Sequence, residues 1–143
     1  MFDKFSPSAL QAVFHARGQA SLFGTEMMTP ELLLLTILRW NALDVSSLIG
    51  NKSDRNEELR KQIEEQIPRG ETFSTSVDLP ISKELELVFQ HAIDEVSGTE
   101  YEIVQLGHLL IGVMREEGCR AAQVLRANGA ELELVRQRML KSE

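Results

Sequence analysis

The chain has 143 residues, a length that suits one domain, and is 43% hydrophobic, 26% charged and 6% aromatic. Fifteen Lys and Arg against 22 Asp and Glu leave a net charge of -7, which disfavours DNA or RNA as a partner. The single cysteine, Cys119, permits no intramolecular disulfide and suits a reducing, cytoplasmic setting, and no apolar run approaches the ~18 residues that span a bilayer. The opening MFDKFSPSA carries no signal-peptide pattern.

The predicted elements are helical throughout. Ser6-Pro7 supplies an N-cap and a proline at the first helical position. Ala9, Val13, Ala16, Ala20 and Phe23 then step by three or four and share one helix face. Thr29-Pro30-Glu31 is a second start signal, its acid favoured by the helix dipole. The helix that follows, Leu32 to Trp40, is apolar almost all round, as a buried central helix is. A short third helix carries Val45, Leu48 and Ile49. A fourth carries Leu59, Ile63 and Ile67, with capping-box spacing between Asp54 and Glu57. Residues 68–80, PRGETFSTSVDLP, lack helical spacing and read as a linker with a weak β-like alternation.

The pattern then starts again. Leu85, Phe89, Ala92 and Val96 repeat the first face, and His108 to Arg115 repeats the apolar helix. Ala121, Val124 and Leu125 form another short helix, stopped at Asn128-Gly129, and Leu132, Val135 and Met139 form the last. Shifted by 76 residues, 6–63 aligns on 82–139 without gaps, and ten of the 58 positions are identical, among them His15/His91, Leu33/Leu109 and Arg39/Arg115. The preserved apolar phase is the stronger signal. The expected fold is all-α: eight helices as two tandem pseudo-symmetric four-helix repeats in a single domain, with repeat one at 1–67, the linker at 68–80 and repeat two at 81–143.

This arrangement resembles the Clp N-terminal domain, the accessory module at the front of Clp/Hsp100 unfoldases. MFDKFSPSALQAV resembles the opening of the ClpC-type domain. Thr29-Pro30-Glu31-Leu32-Leu33-Leu34-Leu35 resembles its first Leu-rich helix, and Gly107-His108-Leu109-Leu110-Ile111-Gly112 its second. Ile93-Asp94-Glu95-Val96 stands where the family often has a DEA segment, and Gly118-Cys119-Arg120-Ala121-Ala122-Gln123-Val124-Leu125 resembles a further family segment. The resemblance implies a non-catalytic module that docks adaptor or substrate proteins for a Clp ATPase or peptidase. It also implies phosphoarginine recognition in ClpC-type members. No GxxxxGK[ST] phosphate loop occurs in the chain, so ATP hydrolysis by that route is excluded for it. An alternative arrangement is a free-standing regulator that competes with an unfoldase for its adaptors.

By that resemblance Glu31 matches a glutamate that contacts the phosphoarginine guanidinium, a pairing with good geometry. The plainer reading is an acid favoured by the helix dipole. Its counterpart in the second repeat, Gly107, has no side chain, so at most one of two symmetric sites survives. Ser6 and Ser82 stand at the family's Thr positions; they suit a small anion or are simply N-caps. His15, His91 and His108 lack the spacing of metal ligands, and no metal or cofactor is expected. Cys119 with a histidine would make a small hydrolase, but a buried small hydrophobe explains it better. Phe2, Phe5, Met27, Met28 and Trp40 lie at helix ends and serve either a docking edge or the core. DNA binding through a helix-turn-helix is opposed by the acidic balance.

Overall fold

A computed structural model describes residues 2–50, 53–74 and 78–142. Among them are eight helices: α1 (Pro7–Phe23), α2 (Pro30–Trp40), α3 (Ala42–Ile49), α4 (Ser53–Glu65), α5 (Lys83–Val96), α6 (Leu106–Arg115), α7 (Arg120–Ala127) and α8 (Leu132–Ser142). The fold is all-α, and α5 and α6 begin 76 residues after α1 and α2, as the repeat requires.

The start signals act as expected. The Ser6 hydroxyl accepts from the Ala9 N–H at 3.2 Å, Thr29 from Leu32 at 3.3 Å, and Ser82 from Leu85 at 3.1 Å. The capping box expected at α4 falls on Asp54, whose side chain lies outside the described residues. Pro68 to Pro80 contains no strand among its described residues, but it is tied down. Gly70 N–H donates to the Phe23 carbonyl at 2.7 Å, the Ser21 hydroxyl donates to the Phe73 carbonyl, and Arg69 lies over the Phe23 ring, 4.4 Å from its centroid.

From Pro30 to Leu38, α2 is buried on every side, and α6 is buried likewise apart from His108 and Arg115. These two helices form the centre. Each pairs with the opening helix of its own repeat, and α6 meets α5 at very close range: a Cβ at Gly112 would collide with the Val88 carbonyl. The repeats also interlock. In each repeat the opening helix touches the central helix of the other, and α4 and α8 pack respectively on α7 and α3. Phe2, Phe5 and Phe89 close one end as an edge-to-face cluster, with centroids 5.1 to 5.7 Å apart. Phe2 and Phe5 therefore belong to the packing.

Candidate functional site

Two short backbone pairings set the site. Phe5 bridges to Val104 and Met28 to Ile81, both parallel. Adding 76 to 5 and to 28 gives 81 and 104, so the two bridges are equivalents under the repeat. The hydrogen bonds match: Ser6 N–H donates to Val104 O at 2.8 Å, and Ser82 N–H to Met28 O at 2.8 Å. The consequence is an exchange between repeats. The Ser6 cap stands beside the start of α6, and the Ser82 cap beside the start of α2. Each cleft thus combines a serine from one repeat with the position of Glu31 or Gly107 from the other.

The two clefts differ. Around Ser6 lies an open groove of about 380 Å³, lined by Ser6, Asp44, Gln105, Gly107, Arg138 and Met139 among others. Gly107 is where the second glutamate would stand. A Cβ there would strike the Met139 side chain, so the missing carboxylate is replaced by the packing of α8. Arg138 turns its guanidinium to the Leu48 carbonyl at 2.8 Å, at the end of α3.

Beside Ser82 the site is filled. Glu31 is only 8% exposed, and its Oε2 accepts the Ala121 N–H at 3.0 Å. It thereby caps α7, whose first turn is otherwise held by the Cys119 sulfur accepting from Ala122 at 3.4 Å. Burial pushes the Glu31 carboxyl above the usual carboxylate range; the Ala121 N–H opposes this, and Glu84 adds to it. Ser82 is buried as well. Both plain readings are realised: the serine is a cap, and the acid serves a helix N-terminus, though that of α7 from the other repeat as well as its own.

The other titratable candidates are occupied. His91 Nε2 pairs with Glu116 at 3.3 Å, and His15 stacks on Trp40 with centroids 4.7 Å apart. His108 Nδ1 accepts the Gln105 N–H at 3.0 Å and closes a capping box. Cys119 is fully buried, and burial pushes its thiol up to about 11, far from a reactive thiolate. Among the described residues no group of three or more His, Cys, Asp or Glu is placed to hold a metal, and no single helix is long and apolar enough to cross a membrane.

Sequence reading passed over a row of exposed apolar side chains on α1, Leu10, Phe14 and Leu22, and Leu43 on α3. The 76-residue shift held the signal, because it aligns Leu10 with Glu86 and Phe14 with Gln90.

A double repeat of four helices, with interlocked central helices and paired N-terminal clefts, is the class the geometry defines. The comparisons agree. The model of the Clp repeat (R) N-terminal domain matches residues 4–139. Over 141 residues the chain is 23% identical to the chloroplastic chaperone protein ClpC1 of Oryza sativa subsp. japonica, covering 99% of this chain and 15% of that protein. It is 25% identical to the ATP-dependent Clp protease ATP-binding subunit ClpA homolog of Cyanidium caldarium, covering 99% and 16%. The crystal structure of the N-terminal domain of the chaperone ClpD from Arabidopsis thaliana superposes with a TM-score of 0.71 at 19% identity, over 99% of this chain and 96% of that one. The chain belongs to the Clp repeat N-terminal domain family. It spans roughly one-sixth of the length of the full-length relatives it matches.

Proposed function

We propose that this chain is a docking module that receives adaptor or substrate proteins for a Clp ATPase and its peptidase in the cytoplasm. The observation that carries this is the family match over residues 4–139 together with the shared fold. The buried, capping Cys119, whose thiol is raised to about 11, speaks against the hydrolase alternative. Capture on the immobilised chain from its own cell extract is expected to recover a Clp subunit or an adaptor. Recovery of neither, in repeated trials, counts against the reading.

The narrower reading, phosphoarginine recognition, is proposed for Glu31 with Ser82, since the Met28–Ile81 bridge brings the Ser82 cap beside the start of α2 and the two carry the carboxylate and hydroxyl the ligand needs; binding would displace the Ala121 N–H from Glu31. Ser6 shares its own cleft with Gly107 and offers a hydroxyl without the carboxylate. Calorimetric titration of a phosphoarginine peptide is expected to give one site per chain, lost in Glu31→Ala and retained in Ser6→Ala. Two sites, or one that survives Glu31→Ala, would be the contrary result.

A further inference from the structure

The outward face of α1 is built unlike that of its repeat mate. Leu10, Phe14, Gly18 and Leu22 lie four residues apart and form one ridge along the helix. Phe14 is 74% exposed and Leu22 63%. The 76-residue shift aligns this ridge with Glu86, Gln90, Asp94 and Gly98, where Gln90 donates to Asp94 at 3.1 Å on an ordinary solvated surface. Next to the ridge the contrast continues. His91 pairs with Glu116 in the second repeat, but His15 stacks on a half-exposed Trp40 in the first. The same backbone thus carries a wet face in one repeat and an apolar one in the other.

Gly18 has no reason to be glycine within the fold. It sits inside a helix, where glycine is among the least favourable residues, and a Cβ there would meet nothing within 4 Å. It leaves a notch in the ridge directly after Phe14.

We propose that this face is where two copies of the chain associate, α1 against α1, antiparallel about a two-fold axis. An antiparallel pair centred at the level of Ala16 sets Phe14 of each copy against Gly18 of the other and Leu10 toward Leu22. The bulkiest side chain of the ridge meets the position that has none, twice, which is the self-complementarity an isologous interface requires. Carboxylate repulsion is least on the same face. Each copy carries a net charge of -7, so copies repel on most approaches, but α1 contains no acidic residue and Arg17 is its only formal charge.

Sedimentation equilibrium of the full 143-residue chain, from micromolar to millimolar, is the test. A monomer–dimer equilibrium is expected. Phe14→Gln, which copies the residue of the second repeat, is expected to weaken it at least tenfold. Gly18→Leu fills the notch and is expected to weaken it likewise. In dilute solution the same Gly18→Leu chain keeps or raises its thermal midpoint, because the helix gains a better former; that separates a lost interface from a damaged fold. A wild-type chain that stays monomeric throughout overturns the proposal, as does a dimer indifferent to both substitutions.

Discussion

Glu31 shows how a single residue is set by its surroundings. Its carboxyl is raised by burial, so folding favours its neutral form relative to the unfolded chain. The linkage follows: this group's contribution to stability is full below the ordinary glutamate range and is lost as pH rises through the raised value. At pH 7 the ionised carboxylate burdens the fold, while a glutamine keeps an oxygen for the Ala121 N–H without the charge. Glu31→Gln is therefore expected to raise the thermal midpoint at pH 7. The gain should shrink below the ordinary glutamate range; calorimetric scans at several pH values read both. The same substitution removes the guanidinium's partner charge, so a higher midpoint with weaker phosphoarginine binding would locate both effects in one carboxylate. Cys119 gives a second residue-level expectation. With its thiol buried and raised to about 11, native protein at pH 7.5 should resist an aromatic disulfide reagent and react fully once unfolded.

At the scale of elements, the two central helices show what a repeat preserves and what it varies. Both are buried, but α2 is capped by Thr29 and α6 by the reciprocal pair of Gln105 and His108. The α5–α6 contact depends on Gly112, where a methyl group would strike the Val88 carbonyl. Overpacking of this kind costs ~1–3 kcal/mol, so Gly112→Ala should lower the thermal midpoint by roughly 4–12 °C. Glu95 on α5 ties in the last helix. It accepts from Arg136 of α8 at 2.6 Å and from Arg115 of α6 at 3.3 Å. Removing it in Glu95→Ala leaves Arg136 with Glu133 and Arg115 with the His91 carbonyl but unties α8 from α5, a cost of about 1 kcal/mol measurable by urea unfolding. An effect near zero would mean that water solvates both arginines in its place.

At the scale of the molecule, the repeats are interlocked rather than strung side by side. Each candidate cleft needs a serine cap from one repeat and a helix start from the other, and α7 is capped by an acid 90 residues away. Either repeat alone would lose both clefts, and so would expose the bridge partners Phe5, Val104 and Met28, which are buried here. The pseudo-symmetry also sharpens the surface. Faces that must meet inside the molecule stay apolar in both copies, while faces free to diverge do so, as the α1 ridge and its polar counterpart on α5 show.

Much of this was legible in the residues. The Ser6, Thr29 and Ser82 caps, the buried α2 and α6 and the eight helices follow from short-range rules, because capping and helical periodicity act over three or four residues. The 76-residue shift extends that reading to a second copy of the same four helices. What the sequence left open depends on contacts between distant segments. It could show that Glu31 is an acid at a helix start, but not that its oxygen reaches Ala121. It could show that Gly107 lacks a side chain, but not that Met139 fills the space. It also could not show that Ser6 and Ser82 change repeats to complete the clefts. Those facts arise only when two helical pairs pack, since burial and long-range hydrogen bonding belong to the packed chain and not to any window of it.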